Sequence, residues 1–205
     1  MIRHPRIYLA SQSPRRRELL KQIGVHHEVL LLRNDPRRMV DVDETPHAGE
    51  DPVAYVQRVC RDKAEAGWKA LLLRKLPRQP VVAADTTVTI GGDIIGKPDD
   101  DEHAAAILRR LSGAQHQVLT AVAMAFEQRV EVRLSTTTVT FDTLDEDRIR
   151  RYLHTREAHG KAGAYGIQGY AGAFVQHIDG SYTGVMGLPL HETVELLKSF
   201  GYPAP

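Results

Sequence analysis

Val81-Val82-Ala83-Ala84 is an unbroken apolar run, closed by Asp85 and Thr86. A strand wetted on one face alternates apolar with polar residues, and this one does not. It reads as a central strand covered on both faces, the pattern of an α/β protein. Asp85 then stands at the end of a buried strand, where α/β proteins place ligands. Its carboxylate could hold Mg²⁺ or accept a proton from water. The plain alternative is an aspartate that caps a turn. Thr86 beside it could donate a hydroxyl or be a strand residue only.

Working outward toward the start, Ile7-Tyr8-Leu9-Ala10 reads as a short buried strand. Ser13-Pro14 opens a helix to about Ile23, with Ser13 as N-cap, Pro14 at the first helical position and Gly24 as its stop. His27 to Leu32 is a second strand. Residues 33–51 are polar and read as a long loop. Asp51-Pro52 starts a helix whose Val53, Val56, Val59, Cys60, Ala64 and Trp68 keep helical spacing.

Toward the end, Thr86 to Ile90, Gly91-Gly92 and Asp93-Ile94-Ile95 read as a hairpin. Asp99 and Glu102 frame the start of a helix that runs to Leu111. Val118 to Phe126 and Val130 to Phe141 form a second hairpin around Glu127-Gln128, and Asp145 to Leu153 a helix. Phe174 to Ile178, Asp179-Gly180 and Tyr182 to Met186 read as a third hairpin, and Pro189 to Phe200 as the closing helix. There are no repeats, low-complexity segments or Ser/Gly linkers. The expectation is an α/β fold with a mixed twisted sheet and two lobes around a central cleft. Residues 1–205 form a single unit, with the second lobe drawn from about 97–160.

Composition narrows the function. The 205 residues carry 27 Lys+Arg against 26 Asp+Glu, a net charge of +1. No bulk positive field is present to drive non-specific nucleic-acid binding, and aromatics are only 6%. A nucleic-acid-binding module therefore fits poorly. Cys60 is the single cysteine, which rules out a disulfide framework and points to a reducing, cytoplasmic setting. No apolar run reaches membrane-spanning length, so no membrane partner is expected. The start Met1-Ile2-Arg3-His4-Pro5 lacks the apolar core of a signal peptide.

Several clusters could carry chemistry. Gly160-Lys161-Ala162-Gly163-Ala164-Tyr165-Gly166-Ile167-Gln168-Gly169 holds four glycines and almost no large apolar side chain. It reads as a loop outside the core that closes around a small polar molecule, with Lys161 as a cation and Gln168 as a bidentate amide. Ser11-Gln12-Ser13-Pro14-Arg15-Arg16 lies between strand and helix. A helix N-terminus, two hydroxyls and two arginines make an anion cradle, and the arginine fork suits phosphate. The alternative is a capped surface helix with solvated arginines. Lys97, fixed between Gly96 and Pro98, could be an aimed ammonium or an exposed turn lysine. Lys63 on its own reads as a solvated helix face. Asp41, Asp43, Glu44, Glu50 and Asp51 form an acidic stretch that could help hold a hard cation or be merely solvated. His26-His27 and His116 lack zinc spacing and read as structural.

Six motifs in order resemble one family. They are Ser11-x-Ser13-Pro14-Arg15-Arg16, Ala84-Asp85-Thr86, Gly96-Lys97-Pro98, Leu111-Ser112-Gly113 with His116 and Thr120, Lys161 through Gly169, and Gly180-Ser181-Tyr182 through Gly187-Leu188-Pro189-Leu190. Together they resemble the Maf nucleoside triphosphate pyrophosphatases, also called septum-formation proteins, over residues 6–200. The resemblance implies a fold similar to inosine triphosphate pyrophosphatases. It also implies hydrolysis of a nucleoside triphosphate to monophosphate and pyrophosphate with a divalent metal, Mg²⁺ or Mn²⁺. It makes Asp85 the proton acceptor and assigns Arg15, Thr86 and Gln168 to base choice. Lys63, Lys97 and Arg16 become phosphate-handling cations. From the residues themselves, Ser11, Ser13 and Lys161 join them as substrate-binding candidates, and Asp85 with Glu44 are the candidate metal ligands. Asp85-Thr86 followed by Gln168 resembles the subfamily acting on dTTP and UTP rather than 7-methyl-GTP. A homodimer is implied at the family level. The rival class is a regulator of cell division that binds nucleotide without turning it over.

Overall fold

The computed structural model describes residues 6–35 and 39–205. The start Met1-Ile2-Arg3-His4-Pro5 lies outside the described residues. In chain order the elements are strand β1 (Ile7–Leu9), helix α1 (Pro14–Gln22), β2 (His27–Val29), β3 (Asn34–Asp35), β4 (Met39–Val40), α2 (Pro52–Leu73), β5 (Val81–Ile90) and β6 (Asp93–Ile95). Then follow α3 (Asp101–Leu111), β7 (Gln115–Phe126), β8 (Arg129–Phe141), α4 (Glu146–His154), two single 3-10 turns at Ala162–Ala164 and Tyr170–Phe174, β9 (Val175–Asp179), α5 (Tyr182–Met186) and α6 (Leu190–Ser199). No described helix is long and apolar enough to cross a membrane.

One seven-stranded sheet runs β2-β1-β5-β7-β8-β9, with β6 also on β5. β1 pairs in parallel with β2 and β5, and the other pairings are antiparallel. The sheet is therefore mixed and the fold is α/β. β3 and β4 pair as a separate two-stranded antiparallel ribbon.

The parity of β5 assigns its side chains to layers. Val81 and Ala83 pack with Val56, Cys60 and Ala64 of α2. Val82 and Ala84 pack on the opposite face with Leu19 and Leu20 of α1 and Leu196 and Leu197 of α6. Both faces are covered, which is why the run shows no polar alternation. Each fully buried leucine or valine here contributes roughly 1.5–3 kcal/mol. A third cluster gathers Val88, Leu108, Val118, Phe141, Ile149, Tyr152 and Phe174 under α3 and α4. Helix α2 approaches β5 closely: a Cβ on Gly67 would lie 2.7 Å from Val81 Cγ1. That approach sets the reach of side chains one turn away, including Lys63.

The structure corrects four readings. β5 does not stop before Asp85; it continues to Ile90, so Asp85 lies mid-strand. Residues 33–51 are not a plain loop, because they contain the β3–β4 ribbon. Tyr182–Met186 is a short helix and not a strand. Ser181 caps it through Gly184 N–H, and Gly187 ends it with φ +111°. The loop 160–169 is not outside the core: Gly163 through Ile167 are buried. A Cβ at Gly163 would lie 2.7 Å from Val88, and its φ is +71°. Its small residues reflect tight packing against β5 as much as openness to a ligand.

Candidate functional site

The cleft forms where one edge of β5 is uncovered. β7 lines the other edge from Val81 to Thr89. On the near edge, β1 pairs only with Val81 and Val82, and β6 only from Val88 to Ile90. Between them residues 83–87 have no strand partner on that edge among the described residues. Through this gap Asp85, from the α2 face, and Thr86, from the opposite face, reach the same cavity. It measures about 380 Å³. β1 ends at its mouth and passes through Ser11-Gln12-Ser13 into α1, so the carboxyl end of a parallel strand opens onto it.

α1 starts without a side-chain cap. Ser13 occupies the N-cap position but makes no capping hydrogen bond. Asp51, Asp100, Asp145 and Ser181 do cap α2, α3, α4 and α5. Ser11 Oγ instead accepts from Ser13 N–H at 3.2 Å. Ser11, Ser13 and the uncapped helix end all line the cavity, a setting that favours an anion.

Arg16 staples this wall together. Its guanidinium donates to Ala84 O at 2.7 Å, Gly187 O at 2.7 Å, Thr86 Oγ1 at 3.2 Å and Ser11 Oγ at 3.4 Å. The Ala84 carbonyl is one that the missing strand partner would have taken. Thr86 and Thr120 hydroxyls lie 3.1 Å apart, and Thr120 donates to Gly184 O at 2.8 Å. Since a carbonyl only accepts and a guanidinium only donates, the direction of this chain is set: Arg16 to Thr86, Thr86 to Thr120, Thr120 to Gly184. Burial pulls the Arg16 pKa down, and nearby Asp85 opposes it. Arg15, lowered by burial, donates to Met186 O at 3.3 Å.

On the other face, Lys63 Nζ touches Asp85 Oδ1 at 2.6 Å and Glu44 Oε1 at 2.9 Å. Lys97 Nζ lies 3.8 Å from Glu44 Oε2. Burial would lower the Lys63 pKa, but Asp85 and Glu44 outweigh it and the net shift is upward. Burial would raise Glu44, and Lys63 and Lys97 reverse that. The loop carrying Glu44 is itself pinned by α2. Tyr55 donates to Glu44 O at 2.9 Å, and Arg58 binds Glu50 at 2.7 and 2.8 Å and Thr45 O at 3.1 Å. Asp41 pairs with Arg33 at 2.9 Å and Asp51 caps α2. The acidic stretch is thus bonded and not merely solvated.

Lys161 lines the cavity, donating to the Glu157 carbonyl, and burial followed by Arg15 lowers its pKa. The cavity wall therefore includes Ser11, Ser13, Arg15, Arg16, Glu44, Lys63, Asp85, Thr86, Lys97 and Lys161. Gln168 is the exception. It is exposed and does not line the cavity, because the chain turns inward at Gly163–Ile167 and outward again at Gln168. His116 lies away from the ions, buried between Phe141 and Tyr165, and bonds Tyr165 Oη at 2.8 Å.

Sequence reasoning missed Arg33, which lines the cavity, and the Tyr55–Arg58 clamp. Tyr55 and Arg58 stand three apart on α2, the spacing of one helical face, and that was the available signal. Arg33 sits in a polar segment with no periodicity to single it out.

The chain matches the Maf-like protein family over residues 6–200. A dTTP/UTP pyrophosphatase of Aromatoleum aromaticum is 57% identical over 97% of each chain. One of Dechloromonas aromatica is 56% identical over 96% of this chain and 98% of its own. One of Nitrosomonas europaea is 54% identical over 95% and 94%. The Ham1 protein of Staphylococcus aureus aligns over 66% of this chain and 71% of its own, at 19% identity and a TM-score of 0.44, too low a score to carry weight. Matched by the family model over residues 6–200 and by relatives over nearly its whole length, this chain belongs to the Maf-like protein family.

Proposed function

We infer that this chain is a nucleoside triphosphate pyrophosphatase that hydrolyses dTTP and UTP to the monophosphate and pyrophosphate. The observation that carries this is the charge of the cavity. Among the described residues, Arg15, Arg16, Arg33, Lys63, Lys97 and Lys161 line it against Asp85 and Glu44. That surplus of cations matches a triphosphate tail. Val88, Val118, Tyr165 and Val185 line the same cavity and suit the flat apolar face of a pyrimidine.

Hydrolysis at the α-phosphorus needs an activated water, charge neutralisation and a held leaving group. Asp85, lining the gap in β5, orients the water and takes its proton. Ser11, Ser13 and the open end of α1 hold phosphate oxygens. Arg15, Lys97 and Lys161 neutralise the charge that grows on the leaving pyrophosphate, an effect typically worth about 10²–10³-fold per donor. Arg16, with its donors on carbonyls and hydroxyls, supplies positive field and holds the Thr86 wall rather than gripping phosphate directly. Thr86 and Arg15 are our candidates for base choice.

A divalent cation of the Mg²⁺ or Mn²⁺ class fits the donor set. Asp85 and Glu44 already share one cation, the Lys63 ammonium. Hard ions of this kind take one or two carboxylates and complete their shell with waters and substrate phosphates. When bound, such an ion neutralises phosphate charge and makes water more acidic. The cytoplasmic setting is part of the same reading, supported by a single free and buried Cys60.

The test is a panel of common and modified nucleoside triphosphates with Mg²⁺ or Mn²⁺ and full product analysis. The expected result is equal amounts of monophosphate and pyrophosphate, fastest from dTTP and UTP. Binding without turnover would favour a nucleotide-binding regulator, and a preference for 7-methyl-GTP would reassign the substrate.

A further inference from the structure

We propose that Lys63 is a resident counter-ion which occupies the divalent-cation position between Asp85 and Glu44 and gives it up only when metal and nucleotide arrive together. The proposal rests on the pyrophosphatase reading above and deepens it.

The geometry is specific. Asp85 Oδ1 and Glu44 Oε1 touch one nitrogen, at 2.6 and 2.9 Å, so they are close enough for a single ion to touch both. Two carboxylates this close repel unless a cation lies between them. The backbone that carries Glu44 is held in place beside Asp85. Tyr55 holds its carbonyl, and Arg58 holds Glu50 and Thr45 behind it. Asp85 is fixed mid-strand. The ammonium that satisfies the pair is itself largely buried, with its side chain 13% exposed.

An ammonium and a metal ion cannot share that position, so they compete for it. Metal arriving alone would push Lys63 out with no anion to receive it. Metal arriving with a triphosphate brings phosphate oxygens on which the displaced ammonium can settle. Among the described residues no group of three or more His, Cys, Asp or Glu could hold a metal without such help. Lys63 thereby couples metal affinity to nucleotide.

The experiment is Mn²⁺ titration of nucleotide-free protein, read by the electron paramagnetic resonance of free Mn²⁺. It compares wild type, Lys63→Met, and Lys63→Met combined with Glu44→Gln. Removing a like charge a few ångström away should tighten Mn²⁺ binding by about tenfold or more in Lys63→Met, and the double variant should lose that gain. Equal or weaker binding in Lys63→Met, or a gain that survives loss of Glu44, overturns the proposal. If Lys63→Met does not fold by circular dichroism, wild type decides. After subtraction of the Mn²⁺ that a non-hydrolysable α,β-methylene dTTP takes up in a protein-free control, wild type should bind Mn²⁺ on the order of tenfold or more tightly with the analogue than without it, and no gain over that control overturns the idea. Because no arm uses turnover, failure here is separable from failure of wild type to hydrolyse dTTP.

Discussion

On the wall of the cleft built by β5 and α2, Lys63 holds Asp85 at 2.6 Å and Glu44 at 2.9 Å, and α2 pins the loop behind them. On the wall built by residues 160–187, polar side chains are held far less. Lys161 rests on one backbone carbonyl, the Met186 carbonyl takes only a 3.3 Å contact from Arg15 of α1, and Gln168 is exposed outside the cavity lining. What fixes that second wall is backbone packing, with Gly163 pressed onto Val88. The difference separates two tasks. Asp85, which the proposed chemistry sets beside the attacking water, is pre-set by regular structure, which is how electrostatic catalysis avoids reorganisation. The facing wall is shaped by packing and leaves its cations room to adjust.

Asp85→Asn should have the largest effect. It keeps the shape of the first wall but removes its charge, so kcat for dTTP should fall about 10²–10⁴-fold. Calorimetric binding of dTTP should persist. Wild-type turnover would remove Asp85 from the chemistry and dissolve the distinction between the walls.

Arg16→Lys comes next. A single ammonium cannot reach Ala84, Gly187, Thr86 and Ser11 together, so urea unfolding should show a loss of about 2–4 kcal/mol. A change below measurement error would mean that Arg16 is not a staple.

His116, behind the second wall, gives a pH signature. Burial pushes its pKa down to about 4, against an ordinary value near 6.5. Above pH 6.5 the ring is neutral whether folded or not and contributes no slope. As pH falls toward 4 only the unfolded chain takes up the proton, so stability drops, by about 3 kcal/mol at most. Below 4 the effect levels off. Thermal melts of His116→Gln should lose this part of the slope; an unchanged slope would point to other groups.

Gly163→Ala probes the packing directly. Positive φ and a 2.7 Å approach to Val88 should together cost about 2 kcal/mol. A neutral outcome would mean that the second wall yields easily. The smallest effect is expected from Gln168→Ala. An exposed side chain off the cavity should change kcat/KM for dTTP by no more than about threefold. A tenfold loss confined to pyrimidine nucleotides would return Gln168 to the base site.

Much of the first wall was legible in the sequence. The absence of alternation in Val81–Ala84 disclosed the two covered faces, and Ser13-Pro14 disclosed the helix start. Asp85-Thr86 looked like a strand end because polar residues there are unusual. They are polar because that edge of β5 opens on the cavity while the strand itself runs on. The second wall was harder. Four glycines in 160–169 signal close approach, yet composition does not say whether a ligand or Val88 is what approaches. Tyr182–Met186 alternates enough to suggest a strand, and only the Ser181 cap and the left-handed Gly187 make it helical. Lys63 looked like a solvated helix residue because its partners are far away in sequence and the Gly67 contact that delivers it is tertiary.

Hydrolysis of dTTP in ¹⁸O-labelled water tests the central claim most directly. If water attacks the α-phosphorus beside Asp85, mass spectrometry will find the label in dTMP and none in the released pyrophosphate. Label in pyrophosphate, or release of orthophosphate, would place the attack elsewhere and contradict the account.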